Sequence, residues 1–190
     1  MNYQAVLDFW FGKPKEAEYG KPRKFWFTKS LETDRKITSR FKTTYQAAEA
    51  GELNHWRKSP LSCLALIIVL DQFPRNIYRG KPQAFATDYL ALEIANYALK
   101  NNYDNQLLPV QRWFIYLPLE HSEDLADQKK AIELFSSLKD DSDSKSTIDY
   151  AQKHFEVIKR FGRFPHRNRI LGRKSTPEEI EFLQQPGSGF

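Results

Sequence analysis

At 190 residues the chain is long enough for one domain with its own core, and its 41% hydrophobic and 28% charged content excludes a disordered or low-complexity polypeptide. The single cysteine, Cys63, excludes an internal disulfide and a cysteine-ligated zinc site. A net charge of +5 names no partner by itself, since it suits a nucleic acid, an anionic metabolite or nothing specific.

Residues 2–11 read as a short helix with Val6, Leu7, Trp10 and Phe11 on its apolar side, ended by Gly12 and Pro14. No basic region precedes these apolar residues, so no secretory signal is expected. A polar loop with a turn signal at Gly20–Pro22 leads to the rings of Phe25, Trp26 and Phe27. Residues 30–50 follow as a helix, because Ile37, Phe41, Tyr45 and Ala48 recur every three or four positions and Gly51 suits the left-handed residue past its end.

Ser59 and Pro60 are a helix start, with serine as the cap and proline at the first helical position. The run from Leu61 to Leu70 is the most apolar in the chain, and a helix apolar on all faces must be surrounded by others. Pro74 predicts an end or kink near Phe73. Further helices are predicted over 83–100, over 109–117 with a stop near Pro118, and from a Ser122 cap to about Leu138. Residues 139–145, KDDSDSK, read as an exposed linker. A helix over 147–161 ends at Gly162, and Thr176-Pro-Glu-Glu179 is a capping box opening a last short helix. The tail QQPGSGF is turn-like, and no strand alternation appears anywhere. The expected fold is all-α: one domain over 1–190, with antiparallel helix pairs stacked as a tetratricopeptide-like α-α superhelix. The apolar run is too short to span a bilayer, so no membrane association and a cytoplasmic location are expected.

Three polar segments interrupt the apolar helices. The first carries Asp71, Gln72, Arg75 and Asn76; an aspartate leaving an apolar helix needs a partner, and arginine is the natural one. The second carries Glu120, His121 and Asp124. The third carries Arg163, His166, Arg167 and Asn168 within the basic stretch 159–174. Two readings compete. In one, an acidic helix start docks on a basic loop and the charges neutralise each other. In the other the segments meet in a pocket: Arg163, Arg167 and Asn168, with Arg75, clamp a phosphate or carboxylate, while His121 or His166, oriented by Glu120 or Asp124, transfers protons. The Glu120, His121, Asp124 spacing matches no metal motif, so neither a metal nor another cofactor is expected. Phe161 and Phe164 interleave with the basic residues of 159–174, but no nucleic-acid motif accompanies them, and that partner ranks below a small anion.

The motifs together carry a resemblance. VLDFWFG at 6–12, FWF at 25–27, LDQFPRNIYRG at 70–80, YLPLEHSEDLADQ at 116–128, and RFGRFPHRN with ILGR and ST at 160–176 resemble the domain-of-unknown-function 924 family of bacterial proteins. The resemblance implies an all-helical, tetratricopeptide-like fold and no known activity. It also suggests that the motif residues Asp71, Gln72, Arg75, Asn76, Glu120, His121, Asp124, Arg163, His166, Arg167 and Asn168 converge. The functional expectation is a pocket of arginine, histidine and carboxylate groups that binds a small anionic ligand; whether it also transforms that ligand is left open, with Glu120, His121 and His166 as the catalytic candidates. A helical scaffold for a protein or peptide, with the motifs as internal struts, is the alternative, and nucleic-acid binding the second. Oligomeric state is not legible.

Overall fold

A computed structural model describes residues 1–189, and every regular element among them is helical. The α-helices are α1 (Tyr3–Phe11), α2 (Leu31–Glu49), α3 (Pro60–Ile77), α4 (Asp88–Lys100), α5 (Pro109–Glu120), α6 (Leu125–Ser136), α7 (Lys145–Phe161) and α8 (Pro177–Leu183), joined by short 3₁₀ turns. Each helix from α2 to α6 packs on the one that follows it. None is long and apolar enough to cross a membrane among the described residues.

The local signals explain most of the boundaries. The Ser59 hydroxyl accepts from Ser62 N, with Pro60 at the first position of α3. The Thr176 hydroxyl accepts from Glu179 N while the Glu179 carboxylate accepts from Thr176 N, closing the capping box of α8. Gly162 ends α7 at φ 67°, in the left-handed region a side chain resists.

α3 lies at the centre, with α1, α2, α4 and α5 around it. That enclosure is why it is apolar on every side, and every residue from Ser62 to Pro74 is buried. A ring cluster fills one side of the core: Trp10 meets Phe73 and Phe114 edge-on at 5.7 and 5.5 Å, and Trp26 meets Phe114 at 5.0 Å. Of the three rings at 25–27 only Trp26 is buried, its indole N–H donating to the Trp10 carbonyl at 3.0 Å.

Several expected boundaries shift, for identifiable reasons. α3 does not stop at Pro74 but continues to Ile77. Proline at position 74 has no N–H for the Leu70 carbonyl, and the Thr87 hydroxyl donates to that oxygen instead, at 2.6 Å. α5 likewise runs through Pro118 to Glu120. The cap of α6 is Asp124, not Ser122: the Asp124 carboxylate accepts from Ala126 N and Asp127 N, while Ser122 donates to Asp127. Residues 83–87 are not part of α4, which a 3₁₀ turn at Pro82–Phe85 precedes. Within 139–145 the chain is mostly at the surface, but Ser144 is buried and accepts the Trp113 indole N–H at 2.7 Å, so this segment is anchored. The tail turns at 184–187 as expected; its last residue, Phe190, lies outside the described residues.

Candidate functional site

The extra turn of α3, the start of α4, the end of α5 and the 3₁₀ turn at Pro165–Arg167 meet around one cluster. Asp71, on α3, is 1% exposed. Its Oδ1 lies 2.8 Å from Nδ1 of His121, the residue that caps α5. Gln72 donates its amide to the other Asp71 oxygen, and Arg75 Nη1 lies 3.5 Å from Oδ1. Arg75 also grips Asp88 through two bonds of 2.9 and 3.1 Å, the forked geometry that matches guanidinium to carboxylate.

Arg167 arrives from the opposite side. Its Nη1 is 3.3 Å from Asp88, its Nη2 donates to the His121 carbonyl at 3.0 Å, and its buried Nε has no partner among the described residues. The guanidinium is held between the rings of Phe85 and Phe164, at 4.7 and 4.6 Å.

Of these groups Phe85, Asp88, His121 and Arg167 border a cleft of about 400 Å³. Phe85, Leu92, Pro118 and Leu171 give it an apolar wall, and Asp88, His121, Glu123 and Arg167 a polar one. Glu123 is tied down by a forked pair with Arg173 (2.7 and 3.0 Å) and by Phe164 N at 2.8 Å. Acidic and basic groups balance across the cluster, leaving His121 as its neutral member. A second hollow of about 480 Å³ lies between α2, α3 and α4, but it holds no histidine and its Arg57 is engaged by Glu93 at 2.8 Å.

The electrostatics divide the cluster. Burial pushes the Asp71 carboxyl up, but Arg75, His121 and Gln72 outweigh it and hold the group well below the ordinary carboxylate range. Burial and Arg75 lower the His121 pKa against the opposing pull of Asp71, so the ring is neutral at pH 7. Asp71 fixes its tautomer: with Nδ1–H donating to the carboxylate, Nε2 carries the lone pair, and Nε2 has no protein partner among the described residues. Burial lowers Arg167 to about 10 even with Asp88 beside it, the sign of a cation whose lost hydration is incompletely replaced.

The other expected site residues fall elsewhere. Glu120 turns into the interior, Oε1 3.1 Å from Nδ1 of His154. Asn76 donates to the Gln72 carbonyl and accepts from Arg79. Asp124 is engaged as the α6 cap. Arg163 and Asn168 both bind Glu179, Arg163 through two bonds of 2.6 and 2.8 Å, which fastens α8 to the loop before it. His166 packs on the Phe164 ring at 5.5 Å and does not line the cleft; burial and then Arg167 lower its pKa to about 4. Asp88, His154, Glu179 and Arg173 were absent from the expected set. His154 carried a signal, because Ala151, His154 and Ile158 share the buried spacing of α7. Asp88 carried none beyond being an acid near a helix start. Among the described residues no three His, Cys, Asp or Glu side chains gather as metal ligands.

An all-helical protein in which an ionised, buried aspartate orients a histidine at the edge of a cleft is the class that fold and site define. The chain belongs to a family of bacterial proteins of unknown function, DUF924, whose match covers residues 6–187. A protein of unknown function from Agrobacterium tumefaciens has a similar solved structure, with 37% sequence identity, 96% of each chain covered and a TM-score of 0.84. No curated protein matches.

Proposed function

We propose that the cleft binds a small molecule with an apolar body and an anionic head, and that His121 exchanges a proton with it. The observation that carries this reading is the placement of His121 and Arg167 on one wall, with Asp71 buried behind His121. Asp71 leaves Nε2 of His121 as a base, and Arg167 offers an incompletely compensated cation beside it. The apolar wall formed by Phe85, Leu92, Pro118 and Leu171 suits the body of such a ligand. The site residues in this reading are Asp71, Arg75, Asp88, His121 and Arg167, with Gln72 supporting Asp71. In this reading Arg163, Asn168 and Glu179 act as struts.

The wider setting is a single cytoplasmic domain whose successive helices stack in the tetratricopeptide manner, an arrangement favoured by the packing of neighbours in chain order. Nucleic acid is disfavoured as a partner, because Arg160, Arg163, Arg167 and Arg173 are engaged by Glu178, Glu179, Asp88 and Glu123.

Thermal unfolding with benzoate, phenyl phosphate, inorganic phosphate and the uncharged comparator benzyl alcohol tests the reading. Benzoate or phenyl phosphate should stabilise the chain, by about 2.7 kcal/mol at a hundredfold excess over Kd. Benzyl alcohol should do so far less, and Arg167→Lys should abolish the difference. Equal responses to charged and uncharged probes, or none to any, would overturn it.

A further inference from the structure

The cleft uses Asp71 and His121 and leaves a second buried acid beside them without a task. Glu120 is 3% exposed. Its Oε1 faces His154, its Oε2 has no hydrogen-bond partner among the described residues, and no Lys or Arg there lies within ion-pair distance of it. Nδ1 of His154 sits between Oε1, at 3.1 Å, and the Tyr150 carbonyl, at 2.9 Å. The imidazole therefore either accepts the carboxyl proton of Glu120 or directs its own N–H toward Tyr150.

The charged and titratable groups around this end of α5 come from every side. α3 brings Asp71 and Arg75, α4 brings Asp88, α7 brings His154, the 3₁₀ turn brings His166 and Arg167, and the loop brings Glu123 with its partner Arg173. α6 faces Glu120 with Gln128, an uncharged group that donates to the Glu120 carbonyl at 2.6 Å. The cations in this set are engaged by Asp71, Asp88 and Glu123, and the group whose charge reaches Glu120 is the anion Asp71. A buried carboxylate with one orphaned oxygen and an anion for a neighbour is strongly disfavoured, so Glu120 holds its proton.

We propose that Glu120 is a positioning residue for His121: it stores a proton in the interior against His154 and, on releasing it to solvent, places a second negative charge behind Asp71 that makes His121 a stronger base. Burial and Asp71 raise the Glu120 carboxyl to about 8, so release falls at mildly alkaline pH. The coupling is reciprocal: protonation of His121 eases ionisation of Glu120. Adjacent carboxyl groups held in opposite protonation states are a recurring way to divide acid and base roles at neutral pH.

The inference rests on reading His121 as the proton-transfer group, but its test needs no ligand. Nitrogen and carbon NMR titration of the His121 ring in the full chain should give two steps: its own, and a second centred near pH 8 as Glu120 ionises. Glu120→Gln should remove the second step and leave the first in place. The Glu120 carboxyl carbon, followed directly in the parent, should titrate with the same alkaline midpoint. A single-step His121 curve in the parent, a second step that survives Glu120→Gln, or a carboxyl midpoint below about pH 6 would each overturn the proposal. The two parent measurements decide the matter even if the variant does not fold. A failure of small-molecule binding would leave all these curves unchanged, which separates the two ideas.

Discussion

Glu120 and His121 are consecutive, yet their side chains leave the end of α5 for different partners, His154 and Asp71. Neighbouring helical positions do not share a face, so one helix end reaches two separate buried environments. The outcome for the acids is opposite. Asp71 has Arg75 and His121 within reach and stays ionised. Glu120 has no cation in contact and keeps its proton. The difference arises from which groups α3 and α7 present, not from the acids themselves.

A pH dependence of stability follows from Glu120. Its carboxyl titrates near 8 in the folded chain against an ordinary 4.5. Between those values the folded chain keeps the proton and the unfolded chain has lost it, so stability falls as pH rises through this window, by about 1.4 kcal/mol per unit at the steepest. Urea unfolding of Glu120→Gln should lack this decline between pH 4.5 and about 8, and at pH 8 the variant should have gained on the parent by a few kcal/mol. On the acid side burial holds His154 at about 3 and His166 at about 4. Their lowered values make both proteins lose stability as pH falls below 6.5, which serves as the internal control.

The Thr87 to Leu70 bond should be measurable as a coupling. Thr87→Val removes the donor that replaces the missing Pro74 amide and leaves a buried carbonyl unsatisfied, at a cost of about 1–3 kcal/mol. Pro74→Ala restores an amide at the position where the helix lacks one. In that background Thr87→Val should cost clearly less. Equal costs in the two backgrounds, by chemical denaturation, would show the bond to be incidental.

Arg163 should behave as a strut. Arg163→Ala leaves Glu179 without its forked partner and should destabilise the chain. Amide exchange over Pro177–Leu183 should rise most, because α8 packs on the rest mainly through the 3₁₀ turn at Pro165–Arg167. The His121 ring titration should stay as in the parent.

The helices were largely legible because their signals are local. Ser59 and Pro60, the Thr176 box and Gly162 each act within a few residues of where they stand. The prolines misled for the complementary reason: whether Pro74 ends a helix depends on Thr87, which lies beyond the next loop. The site was half legible. Asp71, Arg75, His121 and Arg167 stand out as polar interruptions and do converge, but Asp88, which joins the two arginines, looks like any acid at a helix start. His121 and His166, or Arg163 and Arg167, are chemically alike in the sequence. Which of each pair faces the cleft is decided by the turn at Pro165–Arg167 and by the competing acid Glu179, and neither partner can be assigned without the folded chain.

The bond that bridges Pro74's missing amide reaches beyond α3. Asp71 follows Leu70 and Asp88 follows Thr87, so each end of the bond stands next to a carboxylate that engages Arg75. The clasp bypasses the segment 78–86, and the separation of the two acids is set by a hydroxyl rather than by that loop. The register of Asp71, Arg75 and Asp88 is thereby uncoupled from the exposed turn at Gly80 and Lys81, whereas Phe85, farther along the same segment, still carries the loop into the cleft and onto Arg167.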